Sequence, residues 1–181
     1  MAKLAEVDAI ALLKADHRKV EGLFEEFEAA KGKASKEKLA KTICTELIVH
    51  TIIEEEVFYP ACEGQIEEDV LQEAYVEHDG AKVLIAEILA ADASSEFYDA
   101  KVKVLSELIK HHVKEEEKRA EGMFAQAKSA GLDTEALGQE MATRKQAVMA
   151  EIKSSGLPTP TTRSYSGARV KTGKPEHSVA A

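Results

Sequence analysis

One spacing, present twice, limits what this chain can fold into more than anything else in it. His50-Thr51-Ile52-Ile53-Glu54 places an imidazole and a carboxylate one helical turn apart on one face, and His112-Val113-Lys114-Glu115-Glu116 repeats the arrangement. Upstream of each lies an acid-histidine pair at nearly the same distance. Asp16-His17 precedes the first copy, with 33 residues from His17 to His50, and Glu77-His78 precedes the second, with 34 from His78 to His112.

The turn signals convert this spacing into geometry. The midpoint of His17 and His50 falls at Gly32/Lys33, that of His78 and His112 at Ser95, and that of His50 and His78 at Gly64, each inside a segment with turn chemistry. Positions equidistant from a tight turn become level when two helices fold back antiparallel. Three turns therefore bring His17, His50, His78 and His112, with Glu54 and Glu116, to one height. With about 16 residues from turn to histidine and roughly 1.5 Å of rise each, that height is on the order of 24 Å from each turn, well inside a bundle.

The apolar pattern fits four such helices. The first is expected from Asp8 to Ala30, with Ile10, Leu13, His17, Val20, Phe24 and Phe27 on one stripe. The second is expected to be capped by Ser35, to carry Ala40, Ile43, Leu47, His50, Glu54, Val57 and Ala61 inward, and to end near Pro60 and Gly64. The third opens on Glu67, Glu68 and Asp69 and turns Leu71, Ala74, His78, Ala81, Ile85 and Ile88 inward. The fourth, after a Ser95 cap, reads Val102, Leu105, Ile109, His112, Glu116, Ala120 and Met123; the rival register through His111 and Glu115 is poorer in apolar residues. The prediction is an all-α, up-down-up-down four-helix bundle over residues 1–130. An additional helix from Asp133 through Leu137, Met141, Val148 and Ile152 is expected over 131–154, and a disordered basic tail rich in Gly, Pro, Ser and Thr over 155–181.

Composition supports a single core: 44% of the 181 residues are hydrophobic, and the net charge of -9 opposes nucleic-acid binding by the main domain. No stretch approaches the roughly 20 apolar residues of a membrane span, and the Ala9-Ile10-Ala11-Leu12-Leu13 run is too short for a signal peptide, so the cytoplasm is the expected location. Cys44 and Cys62 lie 18 residues apart on the second helix, about 27 Å along its axis, too far to pair. Free thiols suit a reducing compartment. The basic tail, with Arg163, Arg169, Lys171 and Lys174, is read as a solvated solubility tail, with a contact for a protein partner or a weak nucleic-acid contact as the alternative.

A single histidine on an apolar face is ordinarily a hydrogen-bonded core residue. Four of them level with two carboxylates are different, because burying unpartnered carboxylates costs several kcal/mol and a cation removes that cost. Imidazole with carboxylate and no thiolate suits iron, manganese or zinc. Emptying the site is expected to leave Glu54 and Glu116 face to face, each with raised proton affinity.

Four stretches resemble the hemerythrin-like, HHE cation-binding family: Asp16-His17-Arg18-Lys19-Val20-Glu21-Gly22-Leu23-Phe24; His50 through Pro60; Glu77-His78-Asp79-Gly80-Ala81-Lys82-Val83-Leu84-Ile85; and His111 through Glu117. The resemblance covers about residues 6 to 128. It implies a non-haem centre of two iron ions with an oxo or hydroxo bridge, His17, His50, His78 and His112 as terminal ligands, and Glu54 and Glu116 as bridges. It further implies binding or sensing of oxygen, nitric oxide or iron in oxidative or nitrosative stress, or alternatively an enzyme reducing oxygen, peroxide or nitric oxide. One departure stands out. Oxygen carriers of the family present two histidines a turn apart on the third helix, whereas Ala74 and Lys82 flank His78 here. An open or water-filled position is expected in consequence, with Asp16, Glu55, Glu77, His111 and Glu115 as neighbours that could assist or substitute. No catalytic residue is singled out, and Leu47, Val57, Leu105 and Ile109 are expected to line the approach.

Overall fold

The computed structural model describes residues 7–168, which form helices joined by short turns, with no strand among them. Helix α1 (Ala9–Ala29) starts where Asp8 Oδ1 accepts the Ala11 N–H at 2.9 Å, and its stripe from Ile10 to Phe27 is buried as the periodicity requires. Helix α2 (Lys33–Ile53) begins two residues ahead of the expected Ser35 cap. Its cap is Gly32 at φ +93, a left-handed conformation in which glycine carries no steric penalty, so the chain reverses at once and Ser35 falls inside the helix.

The second bundle helix is not one uninterrupted α-helix. After α2 come a π-helical turn (Glu54–Phe58) and then α3 (Tyr59–Cys62), with the Tyr59 N–H donated to the Glu54 carbonyl five residues back. Pro60 has no N–H to give to an α-helical partner, which makes the wider turn inexpensive here. The additional residue rotates everything after Glu54. Phe58, Tyr59 and Cys62 become fully buried, while Ala61, expected inward from an unbroken 3.6-residue period, is only part-buried.

Helix α4 (Glu68–Ala90) buries the expected stripe together with Asp79 and Lys82. Helix α5 starts at Tyr98, after a turn in which the Ser95 carbonyl accepts the Tyr98 N–H at 3.1 Å, and it ends at Glu117. The expected continuation through Ala120 fails: Ala120 is exposed, and Met123 is buried from a separate helix, α6 (Met123–Ser129). Gly122 allows this fold-back, because a Cβ there would lie 2.6 Å from the Glu116 carbonyl oxygen and the Lys118 nitrogen.

Helices α1, α2, α4 and α5 form a closed ring, each packed on the next and α5 on α1, and α7 (Thr134–Ser155), capped by Asp133, lies across α1, α2 and the π turn. Two apolar clusters fill the interior. One gathers Phe24, Phe27, Ile43, Leu47, Ile85, Leu105 and their neighbours, and the other Leu13, Ile53, Phe58, Tyr59, Met123 and Met141. The level of the histidines lies between them.

Beyond α7, residues 156–168 belong to the segment expected to be disordered. They hold no helix or strand, yet the Arg163 N–H and the Ser164 hydroxyl donate to Asp79 Oδ2 at 2.8 and 2.7 Å, and the Arg163 guanidinium lies 4.3 Å from the centre of the Tyr75 ring. Composition marks this segment as unable to form its own core, but a buried carboxylate on α4 supplies the partner that its backbone uses. Residues 169–181, with Arg169, Lys171 and Lys174, lie outside the described residues.

Candidate metal centre

All six residues singled out by the spacing meet at the centre of the ring. The histidines form two close pairs through their inner nitrogens, His17 Nε2 to His50 Nε2 at 3.2 Å and His78 Nε2 to His112 Nε2 at 3.1 Å. The carboxylates join the pairs. Glu54 Oε2 lies 3.1 Å from His50 Nε2 and 3.3 Å from His78 Nε2, and Glu116 lies 3.4 Å from His17 Nε2 through Oε2 and 3.5 Å from His112 Nε2 through Oε1. All are buried, Glu54 completely.

The outer nitrogens show an arrangement that spacing alone reveals only in part. Each Nδ1 faces a carboxylate: Glu117 for His17 at 2.8 Å, Glu55 for His78 at 3.0 Å, Glu77 for His112 at 2.7 Å, and Asp16 for His50 at a longer 3.7 Å. An Nδ1–H donated outward leaves the Nε2 lone pair facing the centre, the tautomer a metal requires. Of these partners Glu117 is missed by the sequence reading, although it belongs to the same acidic run as Glu116. Two other neighbours have no such place: Glu115 pairs with Lys118, and His111 is 58% exposed.

The π turn also delivers a residue that the sequence reading misses. The Tyr59 hydroxyl lies 3.1 Å from Glu116 Oε1 and 3.2 Å from His78 Nε2, with its ring stacked on that of His78. Pro60 directly after an aromatic residue was the available signal. On the side where Ala74 and Lys82 stand in place of a histidine, the centre thus has a phenol. Lys82 points to the outer network, bonding Glu55 at 2.7 Å and Asp79 at 3.2 Å, and Ala74 is packed in an apolar cluster. Leu47, Leu105 and Ile109 lie in one cluster and Val57 in the other, packed above and below the polar layer.

Burial and mutual charge set the protonation of the centre without metal. Burial lowers the His17 pKa to about 2, helped by the His50 charge beside it. Burial works against the charged form of His50, yet its pKa is raised to about 10, because the Glu54, Asp16 and Glu116 carboxylates around it outweigh the desolvation. Glu116 is raised to about 8 by burial and by the Glu54 charge. Glu54 is held well below its ordinary value, its own desolvation outweighed by His50 and His78, so the expectation of raised proton affinity holds for one carboxylate of the pair and not the other. Burial, with the Glu116 and Glu54 charges, keeps the Tyr59 phenol protonated well past its ordinary range.

Both oxygens of Glu54 and Oε2 of Glu116 are buried without a hydrogen-bond partner. Buried polar atoms are nearly always partnered, and three orphaned carboxylate oxygens beside four inward imidazole nitrogens fit a cation. The candidate ligand atoms fall into two groups, His17, His50, Glu54 and Glu116 in one and Glu54, His78 and His112 in the other, each within 4.8 Å of one another.

A helical bundle built around such a centre is a metal-binding protein. Residues 8–124, more than half of the chain, match the hemerythrin HHE cation binding domain, and the chain belongs to that family. A curated relative, a DNA nickase from a Nostoc species, is 30% identical over 106 residues, 59% of this chain but 30% of that protein, so the chain spans under a third of that relative's length. Among solved structures, a hemerythrin HHE cation binding domain-containing protein from Mycobacterium kansasii has the same fold, with a TM-score of 0.67 at 20% identity over 83% of this chain and 95% of its own.

Proposed function

We propose that the chain holds two iron ions, with His17 and His50 on one, His78 and His112 on the other, and Glu54 and Glu116 bridging, and that it binds or senses oxygen, nitric oxide or iron in a stress response. The three orphaned carboxylate oxygens at the junction of the histidine pairs carry this reading. Bound iron would supply a redox couple and a site for a diatomic ligand. The protein's part is to hold the His17, His78 and His112 imidazoles in one tautomer through Glu117, Glu55 and Glu77, with Asp16 facing His50 at 3.7 Å, and to keep bulk water out with the apolar clusters on either side. Manganese or zinc would satisfy the same donors, but zinc would supply no redox couple. No helix among the described residues is long and apolar enough to cross a membrane, and free, buried Cys44 and Cys62 agree with a cytoplasmic setting. DNA nicking is not carried over from the Nostoc relative, given the short shared stretch and the net charge of -9.

A second reading, an enzyme reducing oxygen, peroxide or nitric oxide, is favoured by Tyr59. Its hydroxyl holds a proton against Glu116, within reach of the centre, and such reductions consume protons.

Elemental analysis after anaerobic reconstitution tests the assignment. Two irons per chain are expected, and His50→Ala or His112→Ala should remove most of them; a variant retaining full iron would overturn it. Tyr59→Phe separates the two readings. A sensor keeps its diatomic affinity within a few-fold, whereas an enzyme loses turnover by about 10²-fold or more.

A further inference from the structure

His111, Glu77 and Glu73 lie together on the outside of the bundle, their candidate ligand atoms within 4.8 Å of one another, with Glu73 and His111 exposed. Glu77 faces both ways: Oε1 is 3.2 Å from His111 Nε2 at the surface, and Oε2 is 2.7 Å from Nδ1 of the buried His112. A pocket of about 270 Å³ opens beside them, and its wall includes His112 and Glu116. Glu116 is 2% exposed, and its Oε2 has no hydrogen-bond partner. Glu116 thus stands in the wall between a pocket lined also by Glu67, Glu73, Glu77, Glu115 and Glu121, whose charges attract a cation, and the buried centre, where its partnerless Oε2 lies 3.4 Å from His17 Nε2. The opposing charge in that wall, Lys118, is already engaged by Glu115.

We propose that Glu73, Glu77 and His111 form an outer site for a divalent first-row transition cation, through which the buried centre is loaded. The proposal rests on the metal-centre reading and adds to it a route. Two carboxylates and one imidazole suit ferrous, manganous, cobaltous or zinc ions and leave further positions to water, as a transit site needs. The cation exchanges its waters for Glu73 and His111 at the mouth. It then passes along Glu77 to Glu116, the next carboxylate inward. Ion pairs screened by salt weaken this attraction, so loading slows as ionic strength rises.

The test is stopped-flow absorbance of cobaltous ion mixed with metal-free full-length protein, together with the final metal content. Glu73→Gln with His111→Ala removes two outer ligands and neither the buried donors nor their Nδ1 partners. Glu25→Gln with Glu26→Gln, exposed positions on α1, removes equal or greater charge elsewhere. The outer-site variant should reach the wild-type content of two ions but load about tenfold more slowly at low salt; the α1 variant should load within twofold of wild type. Equal rates in the outer-site variant and wild type, or equal slowing in both variants, would overturn the route and leave the buried centre standing. Wild-type protein that takes up no cobalt would overturn the metal-centre reading itself, and the route with it.

Discussion

Glu54 and Glu116 occupy matching places in the repeated spacing but differ in charge, and the difference fixes how the metal-free protein responds to pH. Glu116, raised from 4.5 to about 8, and His50, raised from 6.5 to about 10, bind protons more tightly folded than unfolded. The stability they contribute is complete below the ordinary values and is lost as pH rises through about 8 and then about 10. His17 and Glu54, both lowered, act in the opposite sense and lose their contribution as pH falls. Metal-free protein should therefore be most stable between about pH 5 and 6.5, its melting temperature falling by several degrees toward pH 9. Glu116→Gln should flatten that alkaline limb. Melting curves across the range decide it, and a metal-free protein equally stable at pH 6 and 9 would contradict the assignment. The six central residues were legible because the turns fix their height. Asp16, Glu55 and Glu77 were legible only as neighbours and Glu117 not at all, because a carboxylate beside a histidine in sequence is ordinarily solvated, and only the ring packing shows which of them face each imidazole.

At the scale of elements, periodicity located every bundle helix and α7, and failed where the backbone leaves the 3.6-residue repeat. The π turn at Glu54–Phe58 adds a residue that no hydrophobic pattern records, and Gly122 folds α6 back where charge density hid the end of α5. The contact that the segment after α7 makes was hidden for another reason, since it depends on one side chain from a distant helix. Asp79, 0% exposed, takes the Arg163 and Ser164 donors on Oδ2 and Lys82 on Oδ1. Asp79→Ala would leave Lys82 with Glu55 alone and release the strap, and removing one partner of a buried charge pair is among the more costly substitutions. A melting temperature lower by roughly 5–10 °C, with faster proteolysis after α7, is expected. Cutting the chain after Ser155 should reproduce the proteolytic boundary but only part of the destabilisation, since Lys82 keeps both carboxylates. Limited digestion with mass analysis checks both.

For the whole molecule, a polar layer between two apolar clusters means that the core is continuous in packing but not in charge. Bound metal satisfies that layer only in the folded state, so it should raise the melting temperature, and by more at higher metal concentration. The carboxylates give this a direction. Glu54 comes from the α1–α2 hairpin and reaches His78 of the other hairpin, and Glu116 comes from the α4–α5 hairpin and reaches His17 of the first. Each hairpin thus lends its carboxylate across the seam, and metal would act as a rivet between two halves that are each held by their own turn. Stripped of metal, the bundle should breathe as two leaves along that seam. Amide hydrogen exchange should quicken together on the facing sides of α2 with α4 and of α1 with α5, while protection within each hairpin outlasts it.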